Sequence, residues 1–382
     1  MRLLFFFLWV STLCAKPLQV EVSARSAILM NAETGAILYE KKAYTPAYPG
    51  STTKIATALF ALDGKKADVG RSALVSEEAL RMKSPHHSLP YHLEPEGTMM
   101  WLRRGEVLPL DAFLHGAMMI SGNDATNVIA ESLSGSVGAF MQEMNQYLKE
   151  IGCQSTMYLN PHGLHDPGHV TTAYDLALMM KKGLTIPKFR DLISKVSYSR
   201  PKSNKSPKSE IVAFNQLLKP GKYHYPKSIG GKTGYHSQAQ ATLVAAAEHE
   251  GRTLIAVVLG CSKTSRYDDV KLLFETAFQE ELLQRRIIGV DHLFSQNIEG
   301  AETPLSARLE NPLSISYFPA EQPTFRAFIH WNKTSLPIHK GQPVGKIIIT
   351  DQQDRPLAQA SLISQTEVKA TWKFRIKKWF CK

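Results

Sequence analysis

The chain has 382 residues, of which 43% are hydrophobic and 21% are charged, as in ordinary globular proteins, and its length allows two domains. The formal net charge of +11 is concentrated in residues 195–209, which hold five basic and no acidic side chains, and in residues 366–382, with a net charge of +5. Because the rest of the chain is close to neutral, a general nucleic-acid-binding surface is not the simplest interpretation.

Residues 1–15 have the pattern of a secretory signal. Arg2 is the positive start, residues 3–13 form an apolar core too short to span a bilayer comfortably, and Ala15 is the expected last residue before cleavage. Lipid attachment at Cys14 is an alternative, although Leu13 is a poor residue before a lipidated cysteine. The sequence therefore predicts an exported protein.

The cysteines indicate no metal site. Cys153, Cys261 and Cys381 remain after the signal, and no spacing among them matches a metal-ligand pattern. An odd number in an exported chain predicts at least one free thiol or an intermolecular partner.

The first elements are a predicted hairpin and a helix. Strands at residues 26–30 and 36–40 flank a turn, and residues 55–62 are rich in Ala and Leu, which predicts a buried helix beginning near Ser51. Free N–H groups and the helix dipole favour negative charge there, and Lys54 lies one turn later on the same face. A serine hydroxyl needs an adjacent base to attack an acyl carbon, and lysine is such a base only when burial or a nearby cation lowers its pKa.

Taken alone, this spacing favours an ordinary structural role. A helix N-cap at Ser51 with a solvated Lys54 accounts for it. The same spacing recurs at Ser199 and Lys202, where Pro201 and polar surroundings predict a loop.

The next segments alternate loops and helices. His86, His87 and His92 stand among prolines, which predicts an exposed loop, with a metal site as the alternative. Ser121 and Asn123 fall in a short connection between helices predicted at residues 110–120 and 125–133. The connection can present a hydroxyl and an amide to a cleft, and capping of the second helix by Asn123 or Asp124 explains it equally well.

The second half of this region predicts a sheet. A helix is expected at residues 172–180, followed by a basic loop at 197–209 that is solvated or, alternatively, contacts an anionic polymer. Glycines around Lys232 allow close approach of a ligand, and strands at 239–247 and 253–259 place Lys232 on or beside a strand edge. Residues 270–278 predict a closing amphipathic helix.

Three short motifs follow one another in this chain: Ser-x-x-Lys at 51–54, Ser-x-Asn at 121–123 and Lys-Thr-Gly at 232–234. Together they resemble the active site of the penicillin-binding proteins and serine β-lactamases. The flanking sequences GSTTKIATA, SGNDATN, NPHGL and GKTGY are similar to those of the low-molecular-mass D-alanyl-D-alanine carboxypeptidases, over residues 20–280. The resemblance implies an α+β, β-lactamase-like fold, in which a helical cluster packs on a five-stranded antiparallel sheet.

The resemblance also implies roles for individual residues. Ser51 would attack the carbonyl of the penultimate D-alanine and Lys54 would be its base, with Lys232 disfavouring the charge of Lys54. Ser121 would relay a proton to the leaving D-alanine, and Asn123 would hold Lys54 and the substrate amide.

Two groups of atoms would bind the substrate. The backbone N–H groups of Ser51 and Tyr235 would form the oxyanion hole. Lys232, Thr233 and Gly234, with Arg266 on a looser alignment, would bind the terminal carboxylate. Neither a metal nor a cofactor is expected. Residues 151–209 contain no glutamate, where a class A β-lactamase would carry its deacylating one, so penicillin should inhibit and leave slowly.

The C-terminal part changes character. Residues 285–365 predict a small β-rich domain, whose segment KGQPVGK at 340–346 resembles a turn of the same carboxypeptidases. Residues 366–382 predict a basic amphipathic helix with Val368, Trp372, Ile376, Trp379 and Phe380 on one face. Such a helix suits an anionic membrane surface, and a helix docked on the β-domain or a frayed tail is the alternative.

The sequence thus predicts a periplasmic carboxypeptidase attached peripherally to the outer face of the cytoplasmic membrane. Its expected partners are the peptidoglycan pentapeptide as substrate and β-lactams as covalent inhibitors, with no nucleic acid. A peptidoglycan endopeptidase or transpeptidase, a β-lactamase, and a non-hydrolytic penicillin-binding scaffold are the alternatives. An intact set of motif residues argues against the scaffold.

Overall fold

The computed structural model of the chain describes residues 16–80, 97–352 and 354–380, without the side chains of 377–380. The chain forms two compact units, a larger one, Pro17–Gln279, and a smaller one, Glu280–Lys382, with which Lys16 groups. The predicted signal, Cys14, Cys381 and the three histidines at 86, 87 and 92 lie outside the described residues. Within the described ranges, no helix is both long enough and apolar enough to cross a bilayer.

A five-stranded antiparallel sheet forms the centre of the larger unit. The strands of this unit are β1 (Ser26–Asn31), β2 (Ile37–Lys41), β3 (Ser72–Leu74), β4 (Val107–Pro109), β5 (Ser197–Arg200), β6 (Ser209–Val212), β7 (Ser228–His236), β8 (Gln240–His249) and β9 (Arg252–Cys261). The sheet has the order β2-β1-β9-β8-β7, which leaves β7 at an edge. The predicted sheet and the edge position of Lys232 are therefore confirmed.

The helices of this unit surround the sheet. They are α1 (Lys54–Leu59), α2 (Glu77–Leu80), α3 (Leu110–Met119), α4 (Asn123–Ser134), α5 (Val137–Glu150), α6 (Ala173–Leu184), α7 (Pro187–Ser194) and α8 (Ser265–Phe278). Alternate residues of β8 and β9, among them Val244 and Val257, join one continuous core with α1 and α3–α7. Their neighbours along each strand are equally buried, because α8 covers the other face.

The hairpin β5–β6 contains most of the basic stretch, and a buried ion pair attaches it to the rest of the larger unit. Arg200 and Ser203 both bond to the carboxylate of Glu106, which is fully buried. Burial alone would raise the pKa of Glu106, but hydrogen bonds from Ser203 and the charge of Arg200 lower it. The stretch is thus a hairpin with an anchored start, whereas the sequence predicted a loop throughout.

The smaller unit is a β-structure with one helix. Its strands are β10 (Leu283–Ile288), β11 (Leu293–Gln296), β12 (Leu305–Leu309), β13 (Leu313–Tyr317), β14 (Phe325–Trp331), β15 (Pro343–Asp351) and β16 (Pro356–Ser364). One sheet has the order β11-β12-β16-β15-β14, and β10 pairs with β13. The predicted β-rich character is confirmed, and β10, β11 and β16 were not anticipated individually because their apolar alternation is weak.

The C-terminal helix, α9 (Trp372–Phe380), begins later than residue 366. Val368, predicted on its apolar face, instead pairs with Ile338 and is buried in the β-core. The prediction for Val368 is wrong, because burial in the core outweighs helical periodicity there. Phe374, which is not among the residues predicted on the apolar face, packs over Gly300, while Trp372 and Ile376 are exposed.

Candidate active site

Ser51 lies in a tight 3₁₀ turn, Gly50–Thr53, that leads directly into α1. Thr52 and Thr242 each donate a side-chain hydrogen bond of 2.8 Å to the carbonyl of Pro49. Since Thr242 belongs to β8, these bonds fix the serine turn against the sheet. Ser51 itself is only partly buried, so its hydroxyl remains accessible from the cleft.

The side chain of Lys54 is completely buried beneath Ser51. Its Nζ lies 2.7 Å from Asn123 Oδ1, 2.7 Å from the carbonyl oxygen of His162 and 3.2 Å from Ser51 Oγ. The first two neighbours can only accept hydrogen bonds, so they use two hydrogens of the amine. A neutral amine then directs its lone pair at the Ser51 hydroxyl, which is the geometry that a general base requires.

The environment of Lys54 favours this neutral form. Burial lowers the pKa of Lys54 well below its ordinary value, and the positive charge of Lys232 lowers it further. No carboxylate forms an ion pair with Lys54 among the described residues. His162, beside it, stays neutral because burial and the charge of Lys54 keep its pKa well below the usual range.

Ser121 and Lys232 meet on the opposite side of the cleft. Lys232 Nζ donates to Ser121 Oγ at 3.1 Å and to the carbonyl of Thr233 at 2.7 Å. Burial, together with the charge of Arg266, lowers the pKa of Lys232 to about 7. Ser121 has φ of +63°, a conformation uncommon outside glycine, which directs its hydroxyl into the site.

Asn123 begins α4 but does not cap it. The N-cap residue is Gly122, and no side chain bonds to the first turn from that position. The Asn123 amide oxygen accepts from Lys54, as the resemblance implied, so the capping alternative does not apply to Asn123. Asp124, the other candidate cap, accepts a hydrogen bond from the backbone N–H of Ala125 in α4. It also accepts from the backbone of Met100 and Leu102 and so attaches the segment after residue 96 to the site.

Close backbone packing joins β7 to the serine turn. A methyl group placed on Gly234 would come within 2.9 Å of the Ser51 nitrogen, and one on Gly50 within 3.2 Å of the Tyr235 nitrogen. Because only small residues fit here, the backbone N–H groups of Ser51 and Tyr235 are brought to the same small region. Two converging N–H donors can stabilise a developing oxyanion.

Arg266 reaches the same cleft from the first turn of α8. Its guanidinium donates to the carbonyl of Gly234 at 3.0 Å and lies over the ring of Tyr267. With Lys232 and Arg266, two cations face Thr233 and Gly234 on the edge strand, an arrangement that suits a carboxylate.

The segment after α5, residues 160–164, supplies a contact to which sequence reasoning assigned no role. Asn160 binds the backbone of Gly163 and Leu164, and this loop presents the His162 carbonyl to Lys54. Gly163 has φ of +91°, and an added methyl group would lie 2.0 Å from the Gly50 carbonyl oxygen. The resemblance included this segment as NPHGL but implied no role for it, because a backbone carbonyl contact does not depend on residue type.

The residues assemble around one open cavity of about 890 Å³. Ser51, Ser121, Thr233, Gly234, Tyr235 and Arg266 line it. Lys54 and Lys232 do not line the cavity themselves, but they bond to Ser51 and Ser121, which do. Asn123 lies behind them and bonds to Lys54. Cys153 and Cys261 lie elsewhere as buried free thiols.

Comparison with curated proteins gives relatives over most of the chain. The D-alanyl-D-alanine carboxypeptidase DacF of Bacillus subtilis is 31% identical over 91% of this chain and 86% of its own length. The D-alanyl-D-alanine carboxypeptidase DacC of Escherichia coli is 32% identical over 69% of this chain and 63% of its own.

Solved structures share the fold. Penicillin-binding protein 5 of Haemophilus influenzae is 25% identical, with a TM-score of 0.63, over 92% of this chain and 98% of that one. The D-alanyl-D-alanine carboxypeptidase DacD of Francisella tularensis, 22% identical, superposes with a TM-score of 0.64 over 95% of this chain and 97% of its own. Residues 12–263 match peptidase family S11, described as D-alanyl-D-alanine carboxypeptidase. The chain therefore belongs to the D-alanyl-D-alanine carboxypeptidase family, among the low-molecular-mass penicillin-binding proteins.

Proposed function

We propose that this chain removes the terminal D-alanine from peptidoglycan stem peptides, through an acyl-enzyme on Ser51. The observation that carries the proposal is the Ser51–Lys54 pair. A hydroxyl at a backbone N–H cluster lies 3.2 Å from a buried amine whose pKa is depressed. This pairing supplies a nucleophile together with a base whose neutral form is favoured by burial and by the charge of Lys232.

In the acylation step, Lys54 accepts the proton of the Ser51 hydroxyl as Oγ attacks the carbonyl carbon of the penultimate D-alanine. The carbonyl oxygen becomes an oxyanion and accepts hydrogen bonds from the N–H groups of Ser51 and Tyr235. Asn123 keeps the amine of Lys54 in place through its 2.7 Å contact. The reaction needs no group beyond the chain's own residues and the substrate.

Collapse of the tetrahedral intermediate breaks the peptide bond. The departing D-alanine nitrogen takes, through Ser121, the proton that Lys54 accepted from Ser51, so that Lys54 is neutral again; Ser121 Oγ is held by its contact with Lys232 Nζ. Water then attacks the ester carbonyl and gives a proton to Lys54, which passes it to Ser51 Oγ as the ester bond breaks and the shortened peptide leaves. Lys232, Thr233, Gly234 and Arg266 hold the terminal carboxylate, so the enzyme prefers a chain end.

β-Lactams carry the same acyl and carboxylate groups and should acylate Ser51. Release is expected to be slow, because residues 151–209 contain no glutamate that could activate water as in class A β-lactamases. Penicillin is therefore expected to inhibit this enzyme, and the enzyme is not expected to confer resistance by hydrolysing it.

We also propose that the protein is exported and attached peripherally to the outer face of the cytoplasmic membrane. The N-terminal apolar segment supports export. The exposed Trp372 and Ile376 of α9, among basic residues, support contact with anionic lipid.

The decisive experiment uses the exported form beginning at Lys16. D-Alanine release from a D-Ala-D-Ala pentapeptide and labelling by a fluorescent penicillin are measured for the wild type and for Ser51→Ala. We expect both activities in the wild type and at least about a 10⁴-fold loss of release in the variant. Labelling without release would contradict the carboxypeptidase and point to a cross-linked peptide substrate or a binding role.

A further inference from the structure

A second cavity of about 770 Å³ lies at one end of the central sheet. Its walls come from the start of β1, the end of β2, the end of β9 and the turn after β7, together with the segment that precedes the serine turn. We call it the sheet-end groove and define it by Arg25, Lys41, Lys42, Tyr48, Gln238 and Gly260.

The sheet-end groove adjoins the active-site cavity. Gln238 lines both cavities. The ring of Tyr48, in the groove, contacts the rings of His165 and His236, which line the active site, with centroids 4.7 Å and 6.3 Å apart. A ligand extending from Ser51 past these rings would therefore enter the groove.

The charge of the groove has one sign. Three of its lining residues are cationic, Arg25, Lys41 and Lys42, and none is acidic. Lys41 bonds to the carbonyl of Val22, whereas Arg25 and Lys42 are exposed and form no ion pair within residues 16–80, 97–352 and 354–380. The adjacent Asp269 forms no ion pair with these cations among the described residues, and its oxygens accept hydrogen bonds from Ser23 and Ala24.

The direction of the bound peptide follows from the proposed function, on which this inference rests. The scissile carbonyl lies at Ser51 and Tyr235, and the terminal carboxylate at Lys232 and Thr233, which precede Tyr235 on β7. The acyl part must leave in the opposite direction, toward His236 and the turn after β7. An extended chain advances by about 3.3–3.6 Å per residue, so residues two or more positions upstream leave the vicinity of Ser51 on this side.

We propose that the sheet-end groove binds carboxylates of an acidic peptide, two or more residues upstream of the scissile bond. Arg25 and Lys42 attract the carboxylates, while Tyr48 and Gln238 form the passage between the two cavities. The groove thereby distinguishes acidic stem peptides from amidated ones. Neither cation touches the reacting atoms, so both act in recognition alone.

The test compares two pentapeptides ending in D-Ala-D-Ala that differ only in an upstream glutamate or glutamine. We expect the wild type to show a kcat/KM about three- to tenfold higher for the acidic peptide, a preference that falls as salt is raised. In the double variant Arg25→Gln/Lys42→Gln, kcat/KM should become about equal for the two peptides. The charge-matched variant Lys66→Gln/Lys149→Gln, at exposed positions outside both cavities, should keep it.

Equal kcat/KM values for the two peptides in the wild type would contradict the proposed recognition of carboxylates by the groove. An unchanged kcat/KM ratio in the variant Arg25→Gln/Lys42→Gln would contradict it as well. If neither peptide is cleaved although Ser51 is labelled by penicillin, the proposed function fails instead. In that case, the affinities of the two peptides for Ser51→Ala test the groove proposal separately. Tighter binding of the acidic peptide that depends on Arg25 and Lys42 would support the proposal, and equal binding of the two peptides would contradict it.

Discussion

At the scale of single residues, two buried lysines are central to the proposed chemistry. Burying an ammonium is costly, and proteins commonly compensate it with a carboxylate. Lys54 and Lys232 receive carbonyl and hydroxyl partners instead. The consequence is a depressed pKa for both lysines, which favours the neutral amine that the proposed base, Lys54, requires.

The influence of Lys232 on Lys54 can be measured in the variant Lys232→Met. Below pH 7 Lys232 is cationic, and its charge lowers the pKa of Lys54. Removing that charge raises the pKa of Lys54, so the acid limb of Ser51 acylation by a β-lactam should move to higher pH, by on the order of one unit. The pH profile of the acylation rate constant checks this, and Lys219→Met, in the cavity wall, is the matched control. An unshifted acid limb would show that Lys232 does not tune the base.

At the scale of elements, the site depends on four segments meeting without intervening side chains. The serine turn, the start of α4, the loop at residues 160–164 and the edge strand β7 each contribute polar groups. These segments pack so closely that only glycine fits at their contact points, Gly50, Gly163 and Gly234.

Gly163→Ala tests that packing. The new methyl group would collide with the Gly50 carbonyl and displace the loop that holds Lys54. Ser51 acylation should fall about 10²-fold, since a shift of about 1 Å suffices for such a loss. Gly135→Ala is the control, because its φ of +79° is similarly strained while no atom lies within 4 Å of the added carbon. It should cost about 1 kcal/mol of stability and leave the acylation rate intact. Equal acylation by Gly163→Ala and the wild type would refute the packing argument.

At the scale of the whole molecule, all of the proposed site residues belong to Pro17–Gln279, which has its own core. The smaller unit has a separate core around Ile347 and Leu362. Units with independent cores can fold independently.

A chain ending at Gln279 should therefore keep its β-lactam acylation rate within about twofold. Circular dichroism verifies that the shortened chain is folded, and labelling kinetics give the rate. The same truncation should abolish binding to anionic vesicles if α9 is the membrane contact. A folded truncated chain that fails to acylate would show that the smaller unit completes the site.

The sequence by itself determined the family, the sheet and the motif residues. Apolar runs bounded by turn residues predicted β8 and β9. The three motifs pointed to Ser51, Lys54 and Lys232, because the chemistry of a side chain follows from its residue type. Helical periodicity gave a wrong prediction where tertiary contacts compete with it. Val368, predicted on a helix face, is buried in the β-core.

Only the tertiary structure decided how those residues are used. The His162 carbonyl beside Lys54, the Asn123 amide that binds a lysine and caps nothing, and the groove between Tyr48 and Arg25 combine segments distant in sequence. Contacts made by backbone atoms, and cavities between segments, cannot be recognised from the order of residue types. Their positions depend on how helices and strands pack, which long-range burial determines.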